Sequence, residues 1–441
     1  GACRVAAGQR STAPVHFASG EHLDIPIHIN DLQDLPDQRD IYLSGSPHFN
    51  DRVSMGESRH AGGSDKYAGV MQYFDAGIAF DQPDARITDD SSITSKTSRF
   101  RDSTKTTYKF RPVATAGAIS NAMPAVQLEF FVSGGTGKVK ITNDCTVRGF
   151  RQSSDSKTWD FRIQPGTDGE RFERYYIYGY HVKNESTNSL TVNVADTYVT
   201  QKIGLVESKP GGQIFVDGNV IIGGDQESHG NGQLVNGNIT VVATGNIWIA
   251  DSIKVDGARD SRGLPAADNP NVLGLIAEGV VKVVDPGMSE YSYVDGQPEE
   301  PEGFKYIPIG VADEGSTGSG DGSDDDSTTH KRHLPNPMVI EAAITVGGGG
   351  WGAENVERRS GWSSYGGRKE APGTGRQNDL VVHGTITEAL RGVVGLIGQD
   401  GFLKQYYMDH RLLEGILPGD IWMSGKFIPA PAGWHDYRPD I

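Results

Sequence analysis

The chain has 441 residues, with 58 glycines and 22 prolines against a hydrophobic fraction of only 36%. That balance argues against long helices and predicts an all-β chain of short strands divided by turns. The formal net charge of −16 excludes the nucleic-acid backbone as a partner, because phosphate binding draws on clustered Lys and Arg. An acidic surface instead suits solubility, cation binding or basic partners.

No apolar run approaches the ~20 residues that span a bilayer, so no transmembrane segment is expected. The chain opens on Gly1-Ala2-Cys3-Arg4 with no Met and no hydrophobic leader core, which fits removal of a leader or anchor. Its two cysteines, Cys3 and Cys145, are too far apart for a zinc knuckle or a thioredoxin-type pair. A single long-range disulfide in an oxidising compartment and two unrelated thiols are both compatible with that spacing.

Residues 1–104 mix short apolar pieces such as Ile25-Pro26-Ile27-His28-Ile29 and Ile41-Tyr42-Leu43 with Pro, Asp and Gly breakers, a pattern of short strands. His16, His22 and His28 lie in this part, at intervals that match no His-x-x-x-His ligand motif, and are read as structural or exposed. From 105 to 205 the alternation lengthens, as in Val126-Gln127-Leu128-Glu129-Phe130-Phe131-Val132 and Leu190-Thr191-Val192-Asn193-Val194. Gly-rich and Asn/Ser-rich turns between these strands predict an inserted antiparallel, sandwich-like domain.

The segment 206–441 carries the strongest signal, a Gly-Asn pair feeding an alternating strand. It occurs at Gly218-Asn219, Gly237-Asn238 and Gly245-Asn246, with looser copies near Gly279 and Gly384. Gly reaches positive φ without a Cβ clash, and Asn tolerates it by bonding its own backbone. A repeated corner before a short strand predicts a right-handed parallel β-solenoid, or β-helix, in which each rung buries its apolar face only against its neighbours. An ordinary stack of hairpins is the competing reading, and the irregular copy spacing implies loops of unequal length.

Two such loops are expected, at about 298–333 and 347–377. The first runs through Gly320-Asp321-Gly322-Ser323-Asp324-Asp325-Asp326, too polar to order itself by burial. Asp321, Asp324, Asp325 and Asp326 offer oxygen ligands of the kind calcium takes, although their order departs from the EF-hand loop. A solvated acidic loop outweighs the calcium site, and no other cofactor is expected. The second loop presents Trp351, Trp362 and Tyr365, read as exposed or used in a contact.

Asp225, Glu227 and His229 lie together beside a predicted rung, the place where a solenoid enzyme would keep a general acid or a metal; an ordinary turn explains them better. No Gly-x-Ser-x-Gly elbow, Walker loop or dinucleotide fingerprint is present, and the chain is read as not an enzyme.

Three stretches, 211–220, 237–249 and 272–279, together resemble an uncharacterised bacterial domain often carried on pilin-like, membrane-anchored surface proteins. The likeness continues through His383-Gly384-Thr385-Ile386, Arg391-Gly392-Val393-Val394-Gly395 and the closing run 401–412. It implies an exported β-solenoid on the cell envelope, related in organisation to pilus-assembly accessory proteins. The family's pilin-type N-terminal helix has no counterpart here. Asp409 and Arg411 are read as an ion pair closing the coil, with Tyr406 and Tyr407 capping its open end.

The function expected is therefore an extracellular structural or adhesive cell-surface protein, a homo-oligomer or filament, with envelope proteins or glycans as partners. The alternative is a carbohydrate-active enzyme, a polysaccharide lyase or hydrolase, with Trp248, Trp351 and Trp362 as sugar-stacking candidates.

Overall fold

The computed structural model describes residues 16–29, 41–61, 63–83, 97, 108–112, 122–150, 176–183, 189–194, 211–223, 232–283, 304–308, 337–347, 350–353, 379–388, 392–395 and 402–413. It also describes paired two-residue strands at 2–3, 13–14, 159–160, 172–173, 198–199, 202–203, 206–207, 289–290, 293–294, 297–298 and 329–330. These residues are all-β: strands and turns, with single 3-10 turns at Met71–Tyr73 and His410–Leu412.

Parallel pairing dominates. One sheet runs Tyr108–Phe110, Gly211–Val216, Asn238–Ala243, Val272–Ala277, Met338–Val346, Asp379–Glu388, Leu403–Met408, His22–Asp24, His48–Phe49. A second runs parallel from the first half of Ala122–Ser133 through Asn219–Ile222, Ile247–Ile249 and Val281–Val283 to Trp351–Ala353. From Tyr108–Phe110 to Met338–Val346, each pass of the chain therefore lays one strand in the first sheet, turns a corner, and lays the next in the second. Successive passes stack in register: Ile214 pairs with Val241, Val241 with Leu275, Leu275 with Ile344 and Ile344 with Ile386. All but the half-buried Ile386 are essentially inaccessible to water, and each such side chain contributes about 1.5–3 kcal/mol by burial.

The corners explain the Gly-Asn pairs. Asn246 N–H donates to Asn219 Oδ1 at 3.0 Å, and Val280 N–H donates to Asn246 Oδ1 at 3.0 Å. Asn219 in turn donates its side-chain amide to the Pro124 carbonyl at 3.2 Å. The result is a ladder of amides that satisfies corner backbone groups on which a strand partner is missing. Gly218 and Gly237 have φ of 154° and 132°, the freedom expected of them. Gly245 is required for a different reason: a Cβ there would stand 2.5 Å from Asn219 Oδ1 and 2.9 Å from the Gly218 backbone.

The segment 105–205 does not stand apart from the stack. Tyr108–Phe110 is its first described strand, and Ala122–Ser133 is shared: it pairs in parallel with Asn219–Ile222 and antiparallel with Thr136–Phe150. The antiparallel part continues to Tyr176–Lys183 and Ser189–Asn193, each alongside Thr136–Phe150. Its outer strand, Phe304–Pro308, comes from the stretch read as a surface loop, so that excursion supplies a sheet strand as well.

The N-terminal strands occupy an unexpected place. His16–Ala18, His22–Asp24 and Ile27–Ile29 form a tier laid on Leu403–Met408, and Tyr42–Ser44, His48–Phe49 and Val53–Met55 form the next. Phe74 and Ile78–Ala79 make the last. The earliest part of the chain thus continues the stack beyond its latest described strand. Tyr406 and Tyr407 consequently do not cap an open end, because Leu403–Met408 is paired on both sides. The described end of the stack is instead made of strands two to three residues long beside the 3-10 turn, with Phe74 and Tyr67 buried there.

Candidate functional site

Strand parity places four unlike polar side chains in one row. Met338, Ile340, Ala342 and Ile344 enter the core, so Glu341 projects from the opposite face. The same alternation sets His383 opposite Leu380 and Val382, Tyr407 opposite Tyr406, and Asp24 opposite Leu23. Pairing aligns them: Glu341 with His383, His383 with Tyr407, Tyr407 with Asp24. Neighbours in such a row lie about 4.8 Å apart along the stack.

The loop 256–271 leaves the stack beside Glu341 and folds back over the row. Arg259 donates to both Glu341 oxygens, at 2.5 and 3.1 Å, and Val255 N–H donates to Glu341 Oε2 at 2.7 Å. The carboxylate is 3% exposed and fully engaged. At the loop's far side Arg411 donates to the carbonyls of Asn269 and Asn271, at 2.6 and 2.9 Å. Arg411 also makes two parallel bonds to Asp409, Nε to Oδ1 at 2.9 Å and Nη2 to Oδ2 at 2.7 Å, with both residues buried. Gly257, at φ 109°, lets the loop pass Asn269, whose amide a Cβ would meet at 2.9 Å.

Burial pushes the His383 imidazole below its ordinary pKa despite the attraction of Asp409 and Glu341, so the ring is neutral at pH 7. Its Nδ1 has no hydrogen-bond partner among the described residues. Burial, then the charge of Asp24, raises the Tyr407 phenol. Only the lower end of the row is open: Arg262 reaches Asp24 at 3.6 Å with both side chains substantially exposed. Arranged in this way, the groups latch a loop to a sheet. Glu341 and His383 have the residue types of an acid–base pair, and both are buried, with Arg259 held on Glu341.

A second buried charge pair sits where the N-terminal tiers meet the stack. Lys404 Nζ is in direct contact with Glu21 Oε1, and each side chain is about 3% exposed. The ammonium lies 5.5 Å from the Phe17 ring centroid, and Glu21 Oε2 accepts from Ala18 N–H at 3.1 Å. Around it, Gln405 donates to the Gly20 carbonyl at 3.0 Å and Trp351 Nε1 donates to Tyr406 Oη at 2.9 Å.

Several residues singled out by sequence fall elsewhere. Trp351, read as exposed or used in a contact, is 2% exposed and used in a contact: its backbone N–H is held by Glu388 at 2.8 Å and its indole by Tyr406. Trp248 is wholly buried, so neither tryptophan offers a face to a sugar. His22 bonds Asn50 at 2.8 Å and His28 bonds Ser54 at 2.9 Å, on different strands. No cluster of His, Cys, Asp or Glu able to hold a metal occurs among the described residues. Asp225, Glu227, His229, Asp321, Asp324, Asp325, Asp326, Trp362 and Tyr365, and the side chains of Cys3 and Cys145, lie outside them. No helix of the described residues is long and apolar enough to cross a membrane.

Glu341, His383, Arg259, Glu21 and Lys404 were not singled out by the sequence. Charges flanked by apolar residues carry a signal only once strand parity is fixed, and Lys404 then falls at a core position. Comparison with protein-family models, curated proteins and solved structures finds no match.

Proposed function

We propose that this chain is the body of an exported bacterial cell-surface structural or adhesive protein, built as a β-solenoid with an antiparallel sheet grafted on its early strands. The coil is right-handed, as parallel crossover connections nearly always are. It is not an enzyme, and it displays its acidic surface to envelope partners or glycans.

One observation carries the reading. Among the described residues, Glu341, Asp409 and Arg411 are spent on holding the fold: they are buried, Glu341 with its bonds to Arg259 and the Val255 N–H, Asp409 and Arg411 with theirs to each other and to backbone. An active site needs such groups to converge on an accessible cleft. The parallel stacking, the amide ladder at the corners and the resemblance to pilin-borne surface domains support the same conclusion.

Electron microscopy of the purified chain, with and without calcium, beside material sheared from producing cells tests it, together with a polysaccharide depolymerisation assay. Elongated particles present in the sheared fraction and no new reducing or unsaturated ends are expected. Turnover of a polysaccharide, abolished by His383→Ala, would overturn the reading in favour of a carbohydrate-active enzyme.

A further inference from the structure

Along the first sheet, among the described residues, chain order and stacking order disagree at one point. From Tyr108–Phe110 to Leu403–Met408 the strands of the first sheet stack in the order of the sequence, and then the tiers of residues 16–80 follow. Within those tiers the order again runs forward, from His22–Asp24 to His48–Phe49 to Phe74. Residues 83 and 108 therefore lie at opposite ends of the stack, and the return from one to the other falls within 84–107. Thr97 marks that return, hydrogen-bonding Glu278 one position beyond Val272–Ala277.

The return spans about nine strand spacings, roughly 43 Å at ~4.8 Å each. The 24 residues 84–107 reach roughly 80 Å when extended. Closure within one chain is thus allowed but not dictated. If the tiers of one copy lie instead on Leu403–Met408 of another, every strand follows in sequence order, with 74–80 leading directly towards 108–110 across a single step. The contacts are those already described: Lys404 with Glu21, Gln405 with the Gly20 carbonyl, and the ladder Gln405–His22, Tyr406–Leu23, Tyr407–Asp24.

We propose that the partner of this joint is a second copy of the chain, and that residues 16–83 pass from one copy to the next to give a continuous head-to-tail filament. The proposal rests on the β-solenoid reading above and deepens it. Closed monomer and open filament make the same joint, so concentration and linker length select between them. Dilute chains close on themselves, while chains crowded on a surface exchange. The ten described tiers of the first sheet set an axial repeat of roughly 48 Å.

Shortening 84–107 to eight residues leaves a reach of roughly 28 Å, too little to close one chain. The shortened full-length chain is expected to run in light scattering at multiples of its mass, near 47.5 kDa for the parent, and to form rods with that repeat. Monomers whose residues 16–83 are open to protease would overturn the proposal. So would rods that persist when Glu21→Lys is added, since they would use another contact. In the unshortened chain, Glu21→Lys and Lys404→Glu each place like charges at the joint, but mixed together they pair correctly only between copies. The mixture is expected to assemble, the combined Glu21→Lys/Lys404→Glu chain to remain monomeric when dilute, and a mixture that stays monomeric would also overturn it. Polysaccharide turnover by the closed monomer would sink the functional reading while leaving these rods intact, so the two fail separately.

Discussion

The central tiers and the joint at residue 404 solve the same problem by different means. Between Gly211–Val216 and Val281–Val283 the tiers are held by columns of Ile, Val, Leu and Ala and by neutral amides at the corners. In such columns the alternation of side chains between the two faces and the short connections between tiers set the register. At the joint the chain supplies no short connection to fix the register, and there a buried ion pair, an ammonium near an aromatic ring and side-chain bonds to backbone appear instead. Specific polar contacts are placed where covalent continuity is missing.

Breaking the joint tests that contrast most sharply. Lys404→Met strands the Glu21 carboxylate in the core, and about 3–5 kcal/mol of docking energy is expected to be lost. Hydrogen exchange is the measurement: amides of residues 16–80 lose protection while 238–283 keep theirs. The double change Lys404→Met/Glu21→Leu is expected to restore docking, because a packed apolar pair replaces a buried ionic one at little net cost. Equal loss across both regions would show that the tiers unfold as one unit.

A titration sharpens the comparison inside the central tiers. Asp251 is buried beside Gln233, and desolvation pushes its carboxyl up to about 6, against the hydrogen bond from Ser252 N–H. The folded state holds this proton more tightly than the unfolded chain, whose carboxyl titrates near ~4. Stability is therefore lost as pH rises from about 4 to about 6 and is level above. Asp251→Asn is expected to remove that slope and to gain on the order of 2 kcal/mol at pH 7, read from urea midpoints across pH. His383 acts with the opposite sign: desolvation lowers its pKa, so its contribution is present above about 6.5 and is lost as pH falls.

Asn246→Ala removes one rung of the amide ladder and leaves Val280 N–H without its acceptor. A loss of about 1–3 kcal/mol is expected in thermal melts, with the joint unaffected. The smallest effect belongs to the exposed end of the polar row, where Arg262→Ala is expected to cost no more than about 0.5 kcal/mol.

The sequence shows these regions unequally. The corners were legible because Gly218, Gly237 and their asparagines meet a local demand within a few residues. The intervals between tiers were not regular enough to count: Ile214 to Val241 is 27 positions, but Leu275 to Ile344 is 69, because an excursion lies between. The joint was hidden for a physical reason. A lysine in Phe402-Leu403-Lys404-Gln405 looks like a surface charge until the strand's parity is known, and its partner Glu21 lies 383 positions away. Trp351 misled in the other direction: the glycines before it suggest a loop, whereas Glu388 and Tyr406 draw it inside. The latch over Glu341 and His383 depends on a loop whose course no local pattern reports.

The same separation of 383 positions has a consequence for synthesis. At ~5–20 residues per second, a ribosome finishes the surface that receives Glu21 roughly 20–80 s after Glu21 itself is made. Until then the tiers that carry Glu21 have no surface of their own chain to lie on, so within one chain they dock after the strands that follow them in sequence have been made.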